Sequence, residues 1–169
     1  MAANLRFRPI VDTAQAATVA NMNSLRLLYR TEDVRHGELS TTVESGDFRG
    51  VGSAWFTIEQ LREFWRMAGA YPISEREEPH LAGGYWDDSG ETLRQCHLSI
   101  RLSPHDRQGS IRVTVALASP AERGEAVDLH QAVTTRFRAT YGDIDRFRAA
   151  FGAMLDGNAG DATLEGTAT

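Results

Sequence analysis

The sequence predicts an α+β fold, a two-layer sandwich in which an antiparallel sheet of six or seven strands carries two amphipathic helices on one face. Three observations predict it. Apolar and polar residues alternate over 93–102, 111–117 and 133–141, the period of strands with one buried face. Apolar residues recur at helical spacing in Leu61, Phe64, Trp65 and Ala68, and again in Ile144, Phe147, Phe151, Met154 and Leu155. Each helical stripe directly follows a strand, and a sheet with one apolar face needs a cover of this kind.

Leu25–Arg30 and Glu38–Glu44 read as the first two strands, joined through a turn at His36-Gly37. After Ser45-Gly46-Asp47, Phe48–Phe56 is the third, and its Gly50 and Gly52 signal a bulge or a close backbone approach. The helix that follows opens on Thr57, with Gln60 placed to complete a reciprocal cap, and stops at Gly69 and Tyr71-Pro72. Leu81–Trp86 is a short strand. In Leu93–Leu102 the alternation assigns Arg94, Cys96, Leu98, Ile100 and Leu102 to one face and Gln95, His97, Ser99 and Arg101 to the other. A turn over Pro104–Gly109 leads to Ile111–Leu117. Val133–Tyr141 is the last strand, with Thr134, Arg136, Arg138 and Thr140 outward, and Asp143 is the expected N-cap of the second helix.

The chain divides into an N-terminal extension over 1–24, one α+β domain over 25–155, and a Gly-, Ala-, Thr- and Asp-rich tail over 156–169 whose composition predicts disorder. All 18 basic residues are Arg, so no Schiff-base lysine, pyridoxal-phosphate anchor or phosphate-loop lysine exists. Cys96 is the only cysteine, which rules out an internal disulfide and suits a reducing cytoplasm. Of the net charge of −5, Asp156, Asp161 and Glu165 supply three, leaving −2 for the rest and no bulk basic character that suggests nucleic acid. Residues 14–19 are too short and polar for a signal core, and no stretch is long enough to span a membrane.

The outer sheet face is the leading candidate site. It gathers Arg101, Arg112, Arg136 and Arg138 with His97, where guanidiniums on adjacent strands can grip anionic groups bidentately. Cross-strand carboxylates such as Glu44 are expected to neutralise part of this charge. The acidic loop Ser74–Pro79 presents Glu75, Glu77 and Glu78 and can steer a basic partner electrostatically. His80 with Glu77, Glu78, Asp87 and Asp88 contains ligand-type residues, but solvated loop carboxylates are the ordinary reading, so neither a metal nor any other cofactor is expected. Cys96 and His97 alternate to opposite faces and cannot act as a nucleophile–base pair. Trp65 belongs to the helix stripe, whereas Trp55 and Trp86 border glycine-rich segments, where exposure would mark a partner surface.

The pattern Phe48-x-Gly50-x-Gly52-x-Ala54-Trp55, followed by Leu61, Phe64 and Tyr71-Pro72, resembles small bacterial proteins of the WapI-like immunity type over roughly 40–140. That resemblance implies a cytoplasmic protein that binds and neutralises a partner toxin without catalysis. The expected function is therefore a non-enzymatic protein-binding module. The alternative is a binder or enzyme for a small anionic ligand, using the Arg-lined face.

Overall fold

The computed structural model describes residues 23–121 and 130–167. The N-terminal extension lies outside these except for its last two residues, which belong to the first strand. The elements run β1 (Asn23–Thr31), β2 (His36–Ser45), β3 (Phe48–Thr57), α1 (Ile58–Met67), β4 (His80–Trp86), β5 (Leu93–Pro104), β6 (Ile111–Ala118), β7 (Ala132–Ala139), α2 (Tyr141–Leu155) and β8 (Ala162–Gly166). The α+β class and the antiparallel pairing hold, but the strands form two sheets of four, ordered β3-β2-β1-β8 and β4-β5-β6-β7, where one sheet of six or seven was expected. Alternation reveals which face of a strand is buried and not which strand lies beside it.

The inner faces of the two sheets pack on each other. β3 contacts β4, β5, β6 and β7, and β2 contacts β7. The glycines of β3 permit this approach: a Cβ on Gly50 would lie 2.4 Å from Val133 Cγ1, and one on Gly52 3.4 Å from Leu117. Leu25, Leu27, Leu39 and Val43 of the first sheet share one core with Leu98, Ile100, Val113 and Phe137 of the second, and with Leu61, Phe64, Phe147 and Phe151 of the helices. Thus the helices join a core between two sheets, and both outer sheet faces point away from it.

Helix starts follow local chemistry. Thr57 Oγ1 accepts from the Gln60 amide at 3.2 Å while Gln60 Oε1 accepts from the Thr57 amide at 2.8 Å, the reciprocal cap its sequence predicts. In α2 the N-cap is Thr140, not Asp143. Tyr141 begins the helix instead of ending β7, which places Asp143 at the third helical position, where its Oδ2 accepts from the Thr140 amide at 2.7 Å.

The segment expected as a disordered tail contains β8. It pairs antiparallel with β1 from Asn23↔Gly166 to Leu27↔Ala162, and Ala162 and Leu164 are fully buried. Beyond it the Thr167 amide donates to Arg138 O at 2.9 Å, tying the first sheet to the edge of the second. One large apolar residue, Leu164, is too little for a compositional criterion to register.

Candidate functional site

The outer face of the second sheet carries the predicted arginines. Across β5, β6 and β7 one row reads Arg101–Thr114–Arg136 and the next Ser103–Arg112–Arg138. Arg101, Arg112 and Arg136 are exposed and Arg138 is half-buried. Arg101 Nη1 donates to Glu78 Oε2 at 3.4 Å, so the acidic loop and the arginine face adjoin at the β4 side. Glu75 and Glu77 are exposed. Glu44 does not neutralise this face. It lies on β2 of the other sheet and pairs with Arg49 at 3.3 Å.

His97 departs from its predicted surroundings. It is only 6% exposed, whereas Cys96, expected in the core, is exposed. The cause is a bulge: Gly83 pairs with Leu98 but Gly84 pairs with Cys96, leaving His97 as the extra residue, and the strict period of β5 ends there. Gly84 has φ 157°, and a Cβ on it would sit 1.9 Å from Gln95 O. Tyr85 packs edge-on against the His97 ring at 4.5 Å, and His97 Nε2 lies 3.3 Å from Gln95 Oε1. Gln95 also clamps the chain after β6, donating to Ala121 O at 3.0 Å and accepting from its amide at 3.1 Å.

Burial, and secondarily His130, lowers the His97 pKa; burial, and then Arg101, lowers that of His80. Both therefore bind protons more weakly folded than unfolded, so stability should fall as pH drops below 6.5 towards their lowered folded values. Asp87 acts in a lower window. A hydrogen bond from Ser89, helped by the Thr92 and Glu91 amides, holds it at about 2 instead of 3.8, so its contribution is lost only as pH falls through that range. A melting temperature that declines between about pH 7.5 and 5, with a shallower decline in His97→Gln, is the expected result. An identical slope in the variant would remove His97 from the account.

His80 Nε2 lies 3.0 Å from Ser99 Oγ, and Asp87 Oδ1 accepts from Ser89 Oγ within its own turn. Among the described residues no group of three or more His, Cys, Asp or Glu side chains is placed to hold a metal. Although Cys96 as a residue is exposed, its thiol is partly buried, which raises its pKa, and it donates to Leu98 O at 3.5 Å.

The outer face of the first sheet holds what the sequence reading largely missed. Val51 and Trp55 are 70% and 51% exposed, and Leu28 is 44% exposed. The register places Leu28 across Ser40 from Ser53, with Val51 and Trp55 two residues to either side of Ser53 on β3. Three large apolar side chains thus surround a polar centre of Ser40, Thr42, Glu38 and Ser53, where Ser53 Oγ donates to Glu38 Oε1 at 2.6 Å. Arg26 and Asp161, paired at 2.9 Å, lie on the far side. β3 is also an edge strand, and a cleft of about 590 Å³ runs along its Arg49–Ser53 segment towards Leu117, Pro120 and Val133. Only Trp55 was signalled in the sequence. Leu28 and Val51 sit in strands rich in apolar residues, where the exposed ones look like the rest.

Trp86 is 41% exposed beside a second cleft of about 510 Å³ with Tyr85, Asp88, Arg94 and Gln95. Trp65 is half-buried, its Nε1 donating to Arg148 O at 2.9 Å and its ring under the Arg148 guanidinium at 4.7 Å. Arg101, Arg112, Arg136 and Arg138 line neither cleft. Among the described residues no helix is long and apolar enough to cross a membrane. No protein-family model, no curated protein and no solved structure matches the chain.

Proposed function

We propose that this chain is a non-enzymatic protein-binding module whose contact surface is the outer face of the β3-β2-β1-β8 sheet. The exposure of Leu28, Val51 and Trp55 together on one open sheet face carries this reading. An isolated exposed apolar residue needs no explanation, but an exposed tryptophan and two exposed aliphatic residues set around the polar Ser40, Thr42, Glu38 and Ser53 on one sheet face offer a partner several apolar anchors with hydrogen-bonding groups between them. Its occupant is a protein surface that sets apolar groups against Leu28, Val51 and Trp55 and hydrogen-bonding groups against the serines between them. In the sense of the immunity-protein resemblance, that partner is a toxin-type protein met in the cytoplasm. The rival reading, a small anionic ligand held by the arginines, has less support because those side chains line neither cleft described.

The test compares the tagged wild type with Val51→Ser/Trp55→Ala in capture from the cells that encode it, at moderate salt. Expected is a stoichiometric protein held by the wild type and lost from the variant, with binding weakened by about 2 kcal/mol or more. The melting temperature of the free variant should stay close to that of the wild type, since both substitutions are at exposed positions. Equal retention by the variant, or no protein retained by the wild type, overturns the reading.

A further inference from the structure

Among the described residues, β3 is the least guarded of the four sheet edges. An edge strand turns every second N–H and C=O away from its neighbour, and proteins guard such groups with bulges, prolines, charges or a covering segment. The edges of β7 and β8 are joined by the Thr167–Arg138 bridge. β4 breaks its ladder twice, between Gly83 and Gly84 and between Tyr85 and Trp86. β3 instead runs in unbroken register with β2 from Phe48 to Thr57, and from Gly50 to Phe56 it holds neither a charge nor a proline. No described strand lies on its other side. The cleft of about 590 Å³ adjoins this edge at Arg49–Ser53, where Gly50 and Gly52 contribute no side chains, and its far wall is apolar at Leu117, Pro120 and Val133.

We infer that the Arg49–Ser53 edge and its cleft bind an extended segment of the partner protein, apolar at alternate positions and acidic at one end, which adds a strand to β3. The inference rests on the reading of this sheet as the partner's contact surface, since Val51 and Trp55 belong to the same strand. Successive side chains of an added strand alternate, so one set enters the cleft towards Leu117 and Val133 while the other lies beside Val51 and Trp55 on the outer face. Charge complementarity sets the acidic end. Arg49 is the one charged side chain among the described residues of the lining, and in its pair with Glu44 it stays 68% exposed. A second copy pairing β3 with β3 fits less well, because the strand it adds would bring Gly50 and Gly52 to a cleft that has room for side chains. Residues 1–22 of the chain itself fit less well too, since Arg6 and Arg8 outnumber Asp12 and set like charge against Arg49.

The experiment measures binding of a labelled peptide of alternating valine and threonine with an aspartate at each end, and hydrogen exchange of β3 with and without it. The full-length protein should bind the peptide, and β3 amides should exchange at least about tenfold more slowly in the complex. A fully N-methylated peptide should not bind, and lysines in place of the aspartates should weaken binding. Ala132→Trp, which fills the cleft from an exposed position, should bind at least about tenfold more weakly, whereas Thr134→Trp, on the opposite face of β7, should stay within about twofold. No binding, undiminished binding of the N-methylated peptide, or equal affinity in the two variants would overturn the inference. So would β3 amides already protected in the free protein, the sign of a second copy or of residues 1–22 on the edge. The two readings fail separately. A partner lost from Val51→Ser/Trp55→Ala yet kept by Ala132→Trp leaves the outer face as the contact surface and removes strand addition, whereas absence of any captured partner removes the outer-face reading while peptide binding still decides the edge.

Discussion

Deleting Ala162–Thr169 is expected to destabilise the protein by about 4 kcal/mol or more, and a chain ending at Asp161 should be largely unfolded or aggregating at 37 °C given a typical total stability of about 5–15 kcal/mol. The loss has three sources. Leu164 and Ala162 are buried, and removing a buried leucine side chain alone costs about 2–5 kcal/mol. Without β8 the backbone of β1 becomes an unpaired edge, and Leu25 and Leu27, paired with Leu164 and Ala162, lose their neighbours. The link from Thr167 to Arg138 and the cover over α2 disappear with it. Denaturant unfolding would measure this, with Leu164→Ala as the milder companion that should still fold with a lowered midpoint. A truncated chain with an unchanged midpoint would mean that β8 adds nothing to the core.

That outcome bears on what a sequence can disclose. Period-two and period-3.6 patterns are local, and they located β1 to β7, both helices and the Thr57 cap to within a few residues. Sheet membership is not local. The alternation of Leu25, Leu27, Leu39 and Val43 is the same whether β1 and β2 extend the β5–β6–β7 sheet or face it, and the chain passes between the two groups of strands only in its long connections, through α1 and the loop to His80 and again through α2 to β8. Gly50 and Gly52 did carry a signal, a close backbone approach, but not its object, the Leu117–Val133 corner of the other sheet. The arginines were legible as a set because β6 and β7 are regular. His97 was not, because alternation had been carried through a bulge.

Gly84→Ala is the second large effect expected, a loss of about 3 kcal/mol and a melting temperature lowered by about 6–12 °C. Two costs act together. A φ of 157° is a region that residues with a side chain rarely adopt, and the new methyl would lie 1.9 Å from Gln95 O and 2.8 Å from the His97 amide nitrogen. Both neighbours are backbone atoms of β5, so no side-chain rotation relieves the contact, and the ladder must part or the bulge must move. Moving the bulge has consequences beyond stability. His97 owes its burial under Tyr85 to being the extra residue, and Gln95 owes to the same irregularity its reach to both backbone groups of Ala121. The variant should therefore also loosen the chain after β6, visible as faster hydrogen exchange at the Ala121 amide, and should flatten the part of the acid destabilisation that belongs to His97. A variant that keeps wild-type stability and exchange would show that β4 and β5 pair equally well without the bulge. The physical origin assigned here to the buried histidine would then be wrong.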